Sequence, residues 1–377
     1  MTTNGTPAVA VVAEQCLAPV PGGTGRYTRD LVTALVRTAP PGSEVETWVA
    51  WHRDIAGAGV PGARGPYRLG LPRRPLTAAW ERGVGPRPRR ATVVHAPTPL
   101  FPPSRVPLVV TVHDAVPWTH PETLTARGVA FHRRMVERAA RLAEIIVVPT
   151  AAVRAELGLL LPAARRFEVV PPAMSPGLVV PPDATARVRA LGLDPARGFL
   201  LTVATVEPRK GLDLLIEALG RGGGAGLPLA VVGPAGWGEV DPRALAIRAG
   251  LPAARLHLVG RVADPDLAAL YSAATAVVAP SRAEGFGLPL LEAMTLGVPV
   301  VATRIPALVE VAGGAARLVE PDADDLRAGI DAVVGDPALR ARMVRAGLVR
   351  AAEFDWDRTG NRLWALYAEI TGNFRPS

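Results

Sequence analysis

The chain has 377 residues, of which 49% are hydrophobic, and a formal net charge of +8 at pH 7. This length suits two domains, and the apolar fraction is ample for a hydrophobic core in each. No apolar run reaches the roughly 18 residues of a membrane-spanning helix, so none is predicted. The positive charge favours an anionic partner, such as a sugar nucleotide, a phosphorylated acceptor, a membrane surface or nucleic acid.

The N-terminal apolar run, residues 8–13, predicts a first β-strand. It is short, no basic region precedes it, and Glu14 follows it, so it does not read as a signal peptide. Cys16 is the single cysteine of the chain and excludes an intramolecular disulfide. Its isolation fits a reducing cytoplasm, where we expect the protein to act.

A glycine-rich segment, residues 19–27, follows this strand and leads into a helical pattern. Its glycines, Gly22 and Gly23, would let the backbone approach a phosphate or a sugar closely. The spacing is not the G-x-G-x-x-G fingerprint of dinucleotide-binding proteins. A plain tight turn is the alternative interpretation.

Residues 53–90 are rich in arginine, proline and glycine and predict a loop-rich, basic surface. The segment either faces an acceptor and anionic lipid head groups, or consists of solvated loops. An RNA-binding surface is not expected, because only Tyr67 and Trp80 are interleaved and no RNA-module signature is present.

Two buried strands are predicted over 92–95 and 108–112, and the second ends at His113. Polar groups at the carboxyl end of a strand lie where open α/β sheets bind ligands. His113 could therefore hydrogen-bond a sugar hydroxyl, with a structural histidine as the alternative. A basic helix over 129–143, further strands at 145–148 and 168–170, and a proline-rich linker over 171–182 follow this point.

The C-terminal half begins with a strand over 199–204 and the segment Pro208-Arg209-Lys210-Gly211. Lys210 is the only lysine of an arginine-rich chain, which indicates a site that needs a compact ammonium. Two cations at a strand-to-helix junction can bind a diphosphate and stabilise it as it departs. A basic surface turn is the alternative.

The segment 280–301 carries the most specific pattern of the chain. A strand over 276–279 leads into Gly285-Phe286-Gly287, a helix with Pro289 near its first position, and another strand over 298–302. The backbone N–H groups and the positive end of this helix dipole suit an anionic ligand such as a diphosphate. Regular alternation of apolar runs and helices favours parallel, doubly wound sheets.

Two carboxylates, Glu284 and Glu292, flank the start of that helix. Either could accept hydrogen bonds from vicinal hydroxyl groups of a sugar or a ribose. Their spacing alone is also compatible with a solvated helix face.

Together these motifs resemble those of the family 4 glycosyltransferases, retaining enzymes with the two-domain GT-B fold. The resemblance is strong over 199–312, good at 108–121 and modest at 19–31. It implies two Rossmann-like domains that face each other across a cleft. The first is an acceptor-binding domain over 1–175, onto which the C-terminal helix of 355–377 packs back. The second is a nucleotide-sugar-binding domain over 183–354.

The resemblance also implies roles for individual residues. Glu284 would hold sugar hydroxyls, Glu292 the ribose, and Arg209 with Lys210 the diphosphate, while His113 would line the catalytic cleft. The implied catalytic residues are thus Glu284, His113, Lys210 and Arg209. The implied donor-binding residues are Gly22, Gly23, Arg209, Lys210, Val262, Glu284, Gly285, Phe286, Gly287, Leu288 and Glu292.

These cations and the amides of 285–288 would take up the charge of the leaving group, so neither a metal nor a cofactor is expected. Three Asp-x-Asp pairs, at 264/266, 322/324 and 355/357, are interpreted as turns and helix caps. A double displacement would need a carboxylate in the N-terminal half, for which Glu14 and Asp114 are the candidates. The resemblance instead implies a same-face route to retention.

The glycine loop 233–238 is similar to that of mannosyltransferase-like members, which favours GDP-mannose over a UDP-sugar. The acceptor is expected to be a hydroxyl of a glycan, a lipid or a small molecule, and the location cytoplasmic, with a possible contact to the inner membrane face. A sugar-nucleotide epimerase, a nucleotide-sugar binder without turnover, and a nucleic-acid-binding protein are the alternatives.

Overall fold

A computed structural model describes residues 7–19, 22–236, 238 and 240–372. The strands are β1 (Ala8–Val12), β2 (Glu44–Trp51), β3 (Arg64–Pro72), β4 (Val93–Ala96), β5 (Leu108–Thr111), β6 (Ile145–Val148), β7 (Phe167–Val169), β8 (Leu200–Val203), β9 (Leu229–Val232), β10 (Leu256–Gly260), β11 (Ala276–Ala279), β12 (Val300–Thr303) and β13 (Arg317–Val319). The helices are α1 (Gly22–Arg37), α2 (Arg73–Glu81), α3 (Val116–Thr119), α4 (Ala126–Leu142), α5 (Ala151–Leu160), α6 (Ala184–Ala190), α7 (Leu212–Gly220), α8 (Pro242–Ala249), α9 (Asp264–Ala273), α10 (Leu288–Thr295), α11 (Pro306–Ala312), α12 (Ala323–Gly335), α13 (Pro337–Ala351) and α14 (Trp356–Thr371). Across the described residues, none of these helices is long and apolar enough to cross a membrane.

The chain divides into two compact units. Unit 1 comprises Met1–Ala115, Arg127–Ser175 and Asp355–Ser377, and unit 2 comprises Val116–Ala126 and Pro176–Phe354. The division at Ser175 falls inside the linker expected over 171–182. Residues 116–126 were expected in the first domain, whereas they group with unit 2.

Unit 1 is built on a parallel sheet with the strand order β3-β2-β1-β4-β5-β6-β7. Strands β1, β4, β5 and β6 are buried along their whole length, which is why they read as continuous apolar runs. Helix α14 packs against α1, where the indole of Trp364 donates to the Leu35 carbonyl at 3.0 Å. The expected return of the C-terminal helix to the N-terminal domain is therefore confirmed, and Trp356 and Trp364 are buried packing residues, as predicted.

Unit 2 is built on a parallel sheet with the strand order β10-β9-β8-β11-β12-β13. The chain runs outward from β8 through β9 to β10 and returns to β11 on the other side of β8. The strand order therefore changes direction between β8 and β11. In open α/β sheets this is the point at which ligands bind beyond the carboxyl ends of the strands.

Three local predictions were wrong or incomplete. Residues 53–90 are not mainly loops, because they contain β3 and α2. Gly22 and Gly23 do not form a loop, because they occupy the first turn of α1. The helix expected to open at Gly285 begins at Leu288, with Gly287 as its N-cap.

Helix caps account for two of the three Asp-x-Asp pairs. The side chain of Asp322 accepts from the amides of Asp324 and Asp325, and that of Asp355 accepts from the amide of Asp357. These carboxylates cap α12 and α14, as predicted.

Candidate functional site

A pocket lies in unit 2 at the carboxyl ends of β8 and β11. It is lined by the ends of both strands and by Lys210, Ser281, Glu284, Gly287 and Leu308. The loop after β8 contributes Lys210, and the loop after β11 contributes Ser281 and Glu284. Two motifs that lie about 70 residues apart in the sequence therefore meet at the switch point of the sheet, where ligand binding is expected.

The two cations of the Pro-Arg-Lys-Gly segment face one carboxylate. Pro208–Lys210 form a single 3-10 turn. The Lys210 ammonium donates to Glu284 Oε1 at 2.5 Å, and Arg209 Nη1 lies 3.5 Å from Glu284 Oε2. Ser281 also donates to Glu284 Oε1, at 2.7 Å. Glu284 is thus held by three side chains in the described structure.

Burial and charge oppose each other at this cluster. Only 12% of the Glu284 side chain and 14% of the Lys210 side chain are exposed. Burial alone would raise the pKa of Glu284, but attraction to Lys210 and Arg209 and hydrogen bonds from Lys210 and Ser281 lower it below its ordinary value. Burial lowers the pKa of the Lys210 ammonium, an effect that Glu284 partly offsets. Glu284 is therefore ionised in the site.

Two glycines allow the surrounding loops to approach closely. Gly211 has a φ of +65°, and a Cβ there would lie 1.9 Å from the carbonyl oxygen of Pro280. Gly287, the N-cap of α10, has a φ of +91°, and a Cβ there would lie 2.3 Å from Leu308. Only glycine satisfies both the left-handed backbone and the close contact, so these positions fix the pocket wall.

Glu292 lies in the second turn of α10 and is buried, with 4% of its surface exposed. It accepts a hydrogen bond of 2.7 Å from the hydroxyl of Tyr271, which is fully buried in α9. Glu292 is not among the residues that line the pocket.

The other predicted donor residues of unit 2 differ in their surroundings. Phe286 is 6% exposed and its ring packs edge-on against Phe354 at 5.5 Å, so it is a packing residue. Val262 lies between β10 and α9, outside the pocket lining. Gly285 and Leu288 adjoin the pocket in sequence without lining it. Trp237 of the glycine loop 233–238 lies outside the described residues.

The predicted residues of unit 1 form no charged cluster with one another. His113 follows β5, donates from Nε2 to the Pro97 carbonyl at 2.8 Å, and packs edge-on against Tyr27 at 4.7 Å. Burial lowers its pKa, so the ring is neutral and Nδ1 keeps a lone pair that can accept from a hydroxyl. Gly22 and Gly23 are exposed, with open space where a Cβ would stand.

The N-terminal carboxylate Glu14 is buried and fully engaged. It follows β1 and is 2% exposed. The amide of Ala50 donates to Oε2 at 2.8 Å, and His52 and Arg73 lie 2.9 Å and 3.5 Å from Oε1. Its lone pairs are committed to these partners, which argues against a role as the nucleophile of a double displacement.

Sequence reasoning missed several residues that complete the unit 2 site. Arg282 forms a two-pronged ion pair with Asp213, and Tyr271 holds Glu292. Glu207 Oε1 lies 2.7 Å from Arg209 Nε. Glu207 directly precedes the Pro208–Gly211 segment and Arg282 lies within the segment 280–301, so both could have been found from their positions in the sequence. Asp213 and Tyr271 lie inside helices, and no local pattern identifies their partners.

Two family models and one long alignment decide the family. The model described as Glycosyltransferase Family 4 matches residues 21–177, and the model described as Glycosyl transferases group 1 matches residues 184–350. The chain is 31% identical over 297 residues to the O-antigen chain mannosyltransferase B of Escherichia coli, which covers 77% of this chain and 76% of that relative. The chain belongs to glycosyltransferase family 4.

Further comparisons agree with this glycosyltransferase assignment. The D-inositol 3-phosphate glycosyltransferase of Acidothermus cellulolyticus is 34% identical over 223 residues, which are 56% of this chain but only 50% of that relative. The structure of a sucrose-phosphate synthase from Thermosynechococcus elongatus matches with a TM-score of 0.77 at 22% identity, over 97% of this chain and 99% of that chain. At this identity the structural match shows the fold alone, which is the GT-B fold.

Proposed function

We propose that this family 4 glycosyltransferase transfers a sugar from a nucleotide diphosphate to a hydroxyl acceptor with retention of anomeric configuration, and that its donor is GDP-mannose. One observation carries the proposal: Lys210, Arg209 and Glu284 converge at the switch point of the unit 2 sheet. Such a point in a parallel sheet suits a nucleotide ligand. The name of the mannosyltransferase relative supports the choice of sugar.

In this proposal the two cations act on the leaving group. As the bond between the anomeric carbon and the β-phosphate oxygen breaks, its electron pair passes to that oxygen and negative charge grows there. Lys210 and Arg209, placed in advance and partly desolvated, stabilise this charge more in the transition state than in the ground state. The same cations supply the charge stabilisation for which other transferases use a metal ion.

Glu284 and Glu292 have different proposed tasks. Glu284 is ionised and paired with Lys210. A donor diphosphate would compete for the ammonium and free the carboxylate to accept hydrogen bonds from sugar hydroxyls. Glu292 is proposed to hold the ribose, with Tyr271 fixing its rotamer through the 2.7 Å hydrogen bond. His113 would accept from a hydroxyl through its Nδ1 lone pair.

Retention is proposed to follow a same-face route. The acceptor oxygen attacks the anomeric carbon on the side from which the phosphate leaves, and its proton passes to the departing phosphate oxygen. This route needs no enzymic nucleophile. The committed lone pairs of the buried Glu14 support it.

Thermal unfolding with added nucleotides tests the donor. GDP-mannose, GDP, UDP-glucose, UDP-N-acetylglucosamine and UDP are each added once with EDTA and once with Mg²⁺. A ligand at about 100 times its Kd adds roughly 2.7 kcal/mol of stability. We expect a shift with the guanosine ligands alone. A shift with the uridine ligands alone would reassign the donor, a requirement for metal would overturn the cation assignment, and no shift with any ligand would contradict donor binding.

A further inference from the structure

A two-pronged ion pair joins the two loops that form the unit 2 site. Arg282 lies in the loop after β11, and Asp213 lies in the first turn of α7. Arg282 Nη1 donates to Asp213 Oδ1 at 2.7 Å, and Nη2 donates to Oδ2 at 2.6 Å. Paired guanidinium and carboxylate groups of this geometry fix orientation as well as distance. Neither residue lines the pocket.

The same arginine also holds the turn that carries the two cations. Its Nη1 donates to the Pro208 carbonyl at 3.1 Å, and its backbone amide donates to the Arg209 carbonyl at 2.7 Å. In return, Arg209 Nη1 donates to the Ala283 carbonyl at 3.3 Å. Arg282 therefore donates hydrogen bonds to Pro208 and Arg209. The next residue, Ala283, accepts a hydrogen bond from Arg209.

The turn needs such support because it is short. Pro208–Lys210 span one 3-10 turn, which is followed by Gly211 in the left-handed region. Two backbone hydrogen bonds close it, from Lys210 to Glu207 at 3.0 Å and from Gly211 to Pro208 at 3.2 Å. A turn of this length has little rigidity of its own. The orientation of Arg209 and Lys210 is set by what the turn is bonded to.

We propose that Arg282 and Asp213 are positioning residues that aim Arg209 and Lys210 at the donor diphosphate. The pair acts through the turn and does not itself bind the phosphates. Preplaced cations avoid reorganisation when the anion arrives, whereas a loose turn must be ordered on binding. This inference rests on the proposed function in one respect, namely that a nucleoside diphosphate binds beside these cations.

The ion pair at the other end of α7 provides a matched control. Arg221 follows the last residue of this helix and pairs with Glu217 at 2.5 Å and Asp324 at 2.7 Å. It thus ties the same helix to its surroundings through a guanidinium and two carboxylates, but it does so away from the turn. Any effect that comes only from loosening α7 should appear in Arg221→Gln as well.

Titration calorimetry of Asp213→Asn and Arg282→Lys, with GDP and GMP as probes, tests the proposal. The readout is the dissociation constant of GMP divided by that of GDP, which reports the contribution of the second phosphate because GMP lacks it. Asp213→Asn keeps the shape of the side chain but loses its charge. Arg282→Lys keeps the charge but loses the two-pronged geometry. We expect each variant to weaken GDP about tenfold while GMP changes less than about twofold, and Arg221→Gln to leave both unchanged.

Two failures are distinguishable. If the wild-type protein binds neither GDP nor, in a parallel titration, UDP, the proposed function fails before the variants are compared. If the wild type binds a nucleoside diphosphate and the folded variants have the same ratio of monophosphate to diphosphate dissociation constants as the wild type, the positioning role is wrong. The role is equally wrong if Arg221→Gln lowers the ratio as much as Asp213→Asn does.

Discussion

The candidate site residues at the carboxyl ends of the two sheets differ in charge. Beyond β8 and β11 of unit 2, Lys210, Arg209 and Glu284 form a cluster of opposite charges in which one carboxylate meets two cations. Beyond β5 of unit 1, His113 sits against Tyr27 and a backbone carbonyl, without an ion pair in the described structure. Both positions lie at the carboxyl end of a parallel strand, so topology alone does not decide what they bind.

The difference lies in how each region responds to burial. In unit 2, partners keep buried groups ionised, and the pKa of Glu284 falls despite its desolvation. In unit 1, burial lowers the pKa of His113 and that of His95 to about 3, which keeps both rings neutral near pH 7. The charges beside Glu284 suit a diphosphate, and the neutral ring of His113 suits a hydroxyl group.

The largest expected effect is that of Lys210→Ala. Loss of the ammonium should lower kcat about 10²- to 10³-fold, as removal of one preorganised group typically does. Steady-state kinetics with a stability curve separates this loss from unfolding, because the variant also leaves Glu284 buried without its closest partner. The double variant Lys210→Met/Glu284→Gln removes both charges and should recover stability but not turnover. Recovered turnover would contradict the phosphate role.

Glu292→Ala should raise the donor KM by up to about tenfold, because each hydrogen bond lost to the ribose contributes about 0.5–1.5 kcal/mol. Its kcat should change less, since the ribose is remote from the reacting bond. Tyr271→Phe removes the hydroxyl that orients this carboxylate and should have a smaller effect in the same direction. An unchanged KM in Glu292→Ala would remove the ribose assignment.

Acid should weaken unit 1 through His95. Its Nδ1 and Nε2 contact Tyr367 at 2.5 Å and Thr111 at 2.9 Å inside the core. With a pKa of about 3 in the folded state and 6.5 ordinarily, the unfolded chain takes up the proton first. Stability is then present above pH 6.5 and is lost as the pH falls towards 3. At pH 5 the loss is about 2 kcal/mol.

Urea unfolding at pH 7 and pH 5 measures this loss. His95→Gln should unfold with a smaller pH dependence, although some remains because burial also lowers the pKa of His113 and His132. A variant at His95 that loses stability with acid just as the wild type does would exclude this histidine as the source.

The smallest expected effect is that of Gly23→Ala. The residue lies in the first turn of α1 with open space around it, so alanine should raise stability by about 0.5–1 kcal/mol. Gly22→Ala is the contrasting control, because its φ of +60° strains a residue with a Cβ. If a ligand approaches the Gly23 backbone closely, turnover of Gly23→Ala falls while its stability rises. Unchanged kinetics would remove this glycine from the site.

Much of this architecture could be predicted because buried parallel strands are uniformly apolar. Strands such as β5 and β11 are covered on both faces and stand out in the sequence. Strand β3 could not be found in this way, because it lies at the edge of its sheet, is largely exposed and contains Arg, Gly and Pro. An edge strand has no neighbouring strand on one side and is less covered, so its sequence need not be uniformly apolar and can contain proline and glycine.

The residues of the candidate site could also be predicted only in part. Arg209, Lys210 and Glu284 could be predicted because each lies in a compact motif at a strand end. The pairing of Lys210 with Glu284 spans 74 positions of sequence, and that of Asp213 with Arg282 spans 69. Such contacts arise from sheet order, which places β8 next to β11 although β9 and β10 intervene in the chain. No local pattern encodes them.

The single lysine has a practical consequence for handling the enzyme. Lys210 carries the only ε-amine of the chain, so amine-directed reagents can reach only this site and the terminal amine. An activated ester that acylates Lys210 would remove the ammonium from beside Glu284, and a bound diphosphate should shield it. The extent of labelling thus becomes an optical or mass-spectrometric gauge of site occupancy. For the same reason, attaching the protein to a sensor surface through its amines risks attachment at the pocket itself, and an affinity tag is the safer choice.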